Sequence, residues 1–252
     1  MNDARTGKFM RLDLALVARG LAPSRARAQD LIRRGFVRVG GQPCSKPASD
    51  VAPSEAVELA DEAPAYVSRG AEKLVAALDR FGFAAAGGVA LDVGASTGGF
   101  TQVLLERGAA QVFAVDVGTA QLHDDLKSDR RVVSLENCDA RTLTRDHVPV
   151  PVEAIVTDVS FISVTKVLGC VLPLAAVGAW LVVLVKPQFE VGRERIGSGG
   201  IVRDEAARRD AVDAVRTWLE QQTGWRVVGE MESPISGGSG NIEYLIGARR
   251  DV

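Results

Sequence analysis

Apolar residues recur at helical spacing near the start of the chain: Leu12, Ala15 and Leu16 share one face, and Ala28, Leu31 and Ile32 share another. Gly20 stops the first run, Pro23-Ser24 gives a fresh start signal, and Gly35 closes the second. The period then changes. Phe36-Val37-Arg38-Val39 alternates about Arg38 and runs into Gly40-Gly41, a hairpin signal. Two short helices leading into a β-hairpin form a compact α+β unit. From 43 to 66 the chain is rich in Pro, Ser, Ala and acids, and only Val57-Glu58-Leu59 has strand character. This places a first domain over 1–60, a linker over 61–66 and a second domain over 67–252.

The second domain alternates strand and helix. A helix whose Leu74, Val75, Leu78 and Phe81 share one face ends at Gly82. Apolar strands follow at Val89–Val93, Gln111–Val115, Val132–Leu135, Ala154–Thr157 and Leu181–Val185, separated by helix-length segments. A glycine-rich polar stretch, 193–203, reads as a flexible loop before a helix from Asp204 to about Gln222, and Trp225–Met231 and Ile242–Ala248 supply closing strands. The pattern predicts an α/β domain built on a largely parallel sheet.

The run from Val167 to Val185 holds nineteen residues without a charge, near the length of a membrane-spanning helix. Gly169, Pro173 and Gly178 interrupt it, and its β-prone second half ends in Lys186-Pro187. Helix, turn and buried strand is the expected content.

Composition adds a charge asymmetry. At 252 residues with 46% hydrophobic and 25% charged content, the chain suits a soluble globular protein with either one large core or one moderate core and a small second domain. The net charge of −2 alone argues against a nucleic-acid partner, but residues 1–50 hold ten bases (Arg5, Lys8, Arg11, Arg19, Arg25, Arg27, Arg33, Arg34, Arg38, Lys46) against four acids. A basic recognition module on a more acidic enzyme gives that distribution. The odd, scattered cysteines Cys44, Cys138 and Cys170 indicate neither disulfides nor zinc and fit a reducing cytoplasm. His123 and His147 have no partner at metal-ligand spacing, so no metal is expected, and the polar N-terminus does not read as a signal peptide.

The strongest local signal is the strand, glycine-rich turn and helix start of Asp92-Val93-Gly94-Ala95-Ser96-Thr97-Gly98-Gly99-Phe100-Thr101. Small residues let the backbone approach a ligand, and free N–H groups at a helix N-terminus face its carboxylate or phosphate. Ser96 stands where a dinucleotide fingerprint requires its second glycine, so that fingerprint fails. Asp116 ends the next strand, where an acid bonds the hydroxyls of a ribose, and Asp139 follows the third strand, where an adenine amino group is read. These positions support adenosyl binding without choosing the cofactor.

Lys73, Asp158, Lys186 and Glu243 fall at strand ends or element starts. Asp158 and Lys186 follow strands whose carboxyl ends form the ligand rim of an open α/β sheet. A desolvated lysine beside a second cation can act as a base, and Lys186 is the candidate.

Over nearly the whole chain these residues resemble the hemolysin-A-like (TlyA) family of ribosomal RNA 2′-O-methyltransferases. Arg11-Leu12-Asp13, Ser24-Arg25-Ala26-Arg27-Ala28 and Gly35-Phe36-Val37-Arg38-Val39 resemble its small ribosomal-protein-like RNA-binding domain. Tyr66 to Gly70, Asp92 to Thr101, Thr157 to Ser163, Lys186 to Glu190 and Gly240 to Tyr244 resemble its catalytic blocks. The resemblance implies a Rossmann-like, FtsJ-like class I methyltransferase domain with a seven-stranded sheet, S-adenosylmethionine as cofactor, and a Lys-Asp-Lys-Glu tetrad at Lys73, Asp158, Lys186 and Glu243. It also implies a ribosomal RNA or ribosomal-subunit partner with a cytidine ribose as target; Arg11, Arg25, Arg27, Arg33, Arg34 and Arg38 of the basic module are expected to dock its phosphates. A membrane-acting cytolysin and a small-molecule methyltransferase are the alternatives. The first lacks an amphipathic lytic helix, and the second leaves the basic module without a purpose.

Overall fold

A computed structural model describes residues 9–237 and 239–252; Arg5 and Lys8 lie outside the described residues. The chain forms two compact units that divide between Arg69 and Gly70.

The first unit opens with β1 (Met10–Arg11), α1 (Leu12–Ala18) and α2 (Arg25–Arg33), followed by β2 (Val37–Val39), β3 (Gln42–Pro43), β4 (Asp50–Val51) and β5 (Val57–Leu59). Ser24 caps α2, its hydroxyl oxygen accepting from the Arg27 N–H, which is why the helix starts where Pro23-Ser24 predicted. Strands β3, β2 and β5 form a small antiparallel sheet, and β1 pairs with β4. Leu12, Leu16, Ala28, Leu31, Ile32, Val37, Val51 and Val57 form the core.

Asp13 is fully buried beside that core. Its carboxylate accepts from Arg11 Nε and Nη2 (3.1 and 3.0 Å), Arg25 Nε (2.9 Å) and Gln29 Nε2 (2.8 Å). The Arg11 hydrogen bond, with the other donors, holds its pKa well below the usual carboxylate range against the opposing effect of burial. Arg11 and Arg25 are thereby oriented while about half of each side chain stays exposed. Arg27 corrects the sequence reading. It is 4% exposed, bonds Asp30 Oδ2 at 2.8 Å and the Pro64 carbonyl at 2.6 Å, and so serves the fold and not a phosphate. With the Arg69–Asp30 pair at 3.8 Å, the same contacts join residues 61–69 to the first unit, so the division falls beyond the expected linker.

The second unit is a seven-stranded sheet in the order β11-β12-β10-β9-β6-β7-β8, comprising β6 (Val89–Val93), β7 (Gln111–Val115), β8 (Val132–Leu135), β9 (Val152–Thr157), β10 (Ala175–Val185), β11 (Trp225–Glu232) and β12 (Tyr244–Arg250). Strands β8, β7, β6, β9 and β10 are parallel, and β12 runs antiparallel to β10 and β11. The helices are α3 (Gly70–Phe81), α4 (Gly99–Glu106), α5 (Asp124–Ser128), α6 (Val164–Val171), α7 (Pro187–Glu190) and α8 (Glu205–Glu220). Leu168 and Val171 of α6 and Val212, Val215 and Leu219 of α8 pack with Leu91, Ile155, Leu181, Val183 and Ile246 on one sheet face. Phe81 of α3 lies over Gly247 on the other, where a Cβ would come within 2.6 Å of its ring.

The uncharged run becomes α6, a short 3₁₀ turn and the buried strand β10, as its interruptions predicted. Between β8 and β9 the expected helix is replaced by a 3₁₀ turn, Ala140–Thr142, in a segment ending with Pro149 and Pro151. Because β6 leads outward to β7 and β8 on one side while β9 and β10 lie on the other, the chain reverses its order between β6 and β9, which is where such sheets open a ligand crevice.

Truncating Asp13 tests the first unit. Asp13→Ala should lower the opening free energy of α1 and α2 by about 1–3 kcal/mol at neutral pH, because the freed arginines can turn to water. The loss should shrink below the ordinary carboxylate range, since a lowered folded-state pKa stabilises only while the unfolded carboxyl is ionised. Amide exchange of α1 and α2 reads both effects.

Candidate active site and cofactor cleft

The crevice is built by two strand ends that lie in contact. Asp158 N–H donates to the Val93 carbonyl at 2.9 Å, and Gly94 N–H donates to the Val115 carbonyl at 2.9 Å. Gly94 has φ +84°, and a Cβ there would sit 2.6 Å from the Asp158 carbonyl oxygen. Only glycine satisfies both demands. Ser96 follows at φ +49°, and its N–H donates to Asp116 Oδ2 at 2.7 Å while Gly118 N–H donates to Oδ1 at 2.7 Å. Gly98, at φ +96°, precedes α4 under Leu122 and Leu126.

A cleft of about 930 Å³ opens here, lined by Gly94, Ser96, residues 116–118, 138–141 and 158–163, with Gln121, Lys166 and Phe189. Of the expected cofactor residues, Gly94, Ser96, Asp116, Asp139 and Asp158 line it. Asp92, Ala95, Thr97, Gly98, Gly99 and Phe100 are absent from its wall and shape the turn from behind. Asp139 faces the cleft with its carboxylate bonded to Arg141, which lowers its pKa.

Asp92 is wholly buried; its Oδ2 accepts from Thr101 Oγ1 at 2.6 Å, and its Oδ1 has no hydrogen-bond partner among the described residues. Burial pushes its pKa up to about 7, with Asp158 and Asp116 adding to the effect and the Thr101 bond opposing it.

The four expected catalytic residues form two ion pairs. Lys73 of α3 meets Glu243 at 2.5 Å, both side chains at most 7% exposed. Gly237 leaves room for the Glu243 carboxylate, and the Glu243 carbonyl accepts from Ser233 N–H at 2.9 Å. Lys186 Nζ lies 2.6 Å from Asp158 Oδ1, off the direction of a good hydrogen bond, and donates its directed bond to Ser160 Oγ at 2.7 Å. Asp158 lines the cleft and brings Lys186 to it.

Residues outside the expected set hold the neighbouring loops, and of these Phe161 and Phe189 line the cleft. Phe161, at φ +66° and 92% exposed, sits with Phe189 at a centroid separation of 5.1 Å. Glu190 accepts from Ser163 Oγ (2.7 Å) and Val164 N–H (2.9 Å). Asn241, 2% exposed, accepts from Val202 N–H and donates to the Gly200 carbonyl, both at 2.9 Å. The stretch 193–203, expected as a flexible loop, is therefore folded back by Asn241 and by Arg195, which pairs with Asp204 and Asp210. The polar residues of Thr157–Ser163 and Lys186–Glu190 were visible as motifs, but their mutual contacts were not.

Comparison with known proteins matches both units of the chain. The FtsJ-like methyltransferase model matches residues 66–250, and the S4 domain model matches residues 10–57. The chain is 49% identical over 240 residues to the 16S/23S rRNA (cytidine-2'-O)-methyltransferase TlyA of Mycobacterium tuberculosis, covering 95% of this chain and 89% of that protein. The chain belongs to the TlyA family. Hemolysin A of Brachyspira hyodysenteriae is 39% identical over 94% of this chain and 98% of its own. A solved structure of a hemolysin-named protein from Streptococcus thermophilus matches with a TM-score of 0.76 and 37% identity, covering 96% of this chain and 88% of that one. In TlyA-family terms the first unit is the S4 domain and the second the FtsJ-like methyltransferase domain.

Asp92 gives this domain a pH signature. Its raised pKa means that between about pH 4 and about pH 7 the native state holds a proton that the unfolded chain has released, so its contribution to stability falls as pH rises through that window. Asp92→Asn should remove the slope, matching the parent near pH 4 and exceeding it above pH 7 by on the order of a few kcal/mol. Urea unfolding from pH 4 to pH 8 reads this, and a constant offset would contradict it.

Proposed function

We propose that the protein transfers a methyl group from S-adenosylmethionine to the 2′-hydroxyl of a cytidine ribose in ribosomal RNA, within the cytoplasm. The observation that carries this reading is Lys186 Nζ held between Asp158 and Ser160 at the edge of the cleft that Gly94 opens. The printed activity of the Mycobacterium tuberculosis relative supports the same chemistry.

The cleft fits a cationic adenosine-bearing cofactor. Gly94 carries no side chain, Asp116 retains lone pairs for ribose hydroxyls beyond its two backbone bonds, and Asp158 sets a carboxylate on the wall. S-adenosylmethionine supplies the electrophilic methyl when bound. Asp158 favours positive charge in the cleft and orients Lys186. Lys186 holds the incoming hydroxyl and, in its neutral form, takes its proton as the oxygen is alkylated. Lys73 and Glu243 neutralise each other under cover and brace α3 against the start of β12.

RNA reaches this site through charge and stacking. In the S4 domain Arg11, Arg25, Arg33, Arg34 and Arg38 are exposed, and the first two are aimed by Asp13. Phosphate contacts from these arginines set orientation. Phe161 on the cleft rim offers a face to an unstacked base. No helix among the described residues is long and apolar enough to cross a membrane, and no group among them is arranged to hold a metal ion.

The test is transfer of labelled methyl from S-adenosylmethionine to isolated ribosomal subunits. Lys186→Ala should abolish transfer while cofactor affinity stays within a few-fold; an active variant overturns the assignment of Lys186. Phe161→Ala should lower kcat/KM for RNA by roughly 5- to 100-fold, the equivalent of one lost base stack, with a smaller change in cofactor affinity.

A further inference from the structure

We propose that Glu190 is a positioning residue that ties the loop after β9 to the turn after β10 and so sets Lys186 against Asp158 and Ser160. The proposal rests on the methyl-transfer reading above.

Three contacts run in register between the two segments. Lys186 meets Asp158 and Ser160, Phe189 meets Phe161, and Glu190 meets Ser163 and Val164. Glu190 closes the series with both carboxylate oxygens, Oε1 on the first free N–H of α6 and Oε2 on the Ser163 hydroxyl. Ser163 stands at the N-cap of α6 but makes no side-chain cap of its own, so the cap comes from a residue 26 positions further on. α7 is a single turn, with Phe189 N–H donating to the Lys186 carbonyl at 2.9 Å. Displacement of Glu190 is therefore carried directly to the backbone of Lys186.

The loop between the anchors needs such a tie. Phe161 adopts φ +66° and is 92% exposed, so little packing of its own holds it there. A non-glycine residue in the left-handed region costs on the order of 1–3 kcal/mol and persists only where its surroundings impose it. Ser160 on one side is bonded to Lys186, and Ser163-Val164 on the other to Glu190. Glu190 itself is half-buried, and that burial raises its pKa.

The experiment compares Glu190→Ala, Glu190→Gln and Ser163→Ala in the full chain. Turnover on ribosomal subunits is expressed per cofactor-binding site from titration, so that misfolded protein is not counted. Amide exchange of residues 158–164 is measured in parallel without RNA. Glu190→Ala should lower kcat at least tenfold, leave KM for RNA within twofold, and speed exchange of the loop. Glu190→Gln, which keeps an acceptor for Val164 N–H, should stay within threefold of the parent in kcat, and Ser163→Ala should fall between. Per-site kcat within twofold of the parent in Glu190→Ala, or equal impairment of Glu190→Gln and Glu190→Ala, overturns the proposal. If Glu190→Ala does not fold, Ser163→Ala decides: parental kcat and exchange then overturn it. A parent chain inactive on every ribosomal substrate refutes the methyl-transfer reading, and unchanged loop exchange in the variants refutes the tie independently of activity.

Discussion

The site depends on the closeness of two backbones. Where β6 and β9 end side by side, Gly94 approaches the Asp158 carbonyl so nearly that no Cβ fits, and Asp158 N–H is bonded to the residue before it. The glycine-rich turn that shapes the cofactor cleft and the carboxylate that holds Lys186 are thus parts of one contact. Everything else follows from that adjacency. Ser96 can reach Asp116 because the turn leaves β6 in a left-handed conformation, and α4 begins under Leu122 and Leu126 because Gly98 has no side chain. An alanine at Gly94 would drive the ends of β6 and β9 apart, because the atom it meets is the Asp158 backbone carbonyl.

The four ionisable residues divide by burial into different duties. Lys73 and Glu243 are shielded from water, a setting in which removing one partner strands the other's charge. Such a pair fixes a local geometry. Lys186 and Asp158 are more accessible, at 11% and 24% side-chain exposure, and the Lys186 ammonium has a second, well-directed partner in Ser160. On the proposed reading the accessible pair carries the chemistry, and the sealed pair braces α3 against the start of β12. A similar economy governs the S4 domain, where buried Asp13 aims Arg11 and Arg25 outward while Arg27 is consumed by Asp30 and the Pro64 carbonyl.

Features encoded within one short segment were legible in the sequence. Ser24 and Asp204 start their helices with side-chain caps, the glycine-rich turn lies at the end of β6, and Pro173 divides an uncharged run into α6 and β10. The placement of Asp158 and Lys186 side by side was legible because the carboxyl end of a parallel strand is a fixed place in the fold. Features that depend on a distant partner were not. Nothing local to Arg27 marks it as buried, because its fate is decided by a carbonyl 37 positions away. Likewise 193–203 has the composition of a loose loop, yet Asn241 bonds it on two sides; that use of residues 241–243 also delays β12 until Tyr244. The capping of α6 by Glu190 and the left-handed Phe161 belong to the same class.

The identity of the methylated nucleoside tests the central claim most directly. Ribosomal RNA treated with the protein and S-adenosylmethionine would be digested to nucleosides and separated by mass and retention. The account predicts that the added methyl appears on 2′-O-methylcytidine, with the base unmodified. A methyl group found on a base nitrogen or carbon would contradict it, because a cleft edge built to hold a hydroxyl beside Lys186 would then have no role in the reaction.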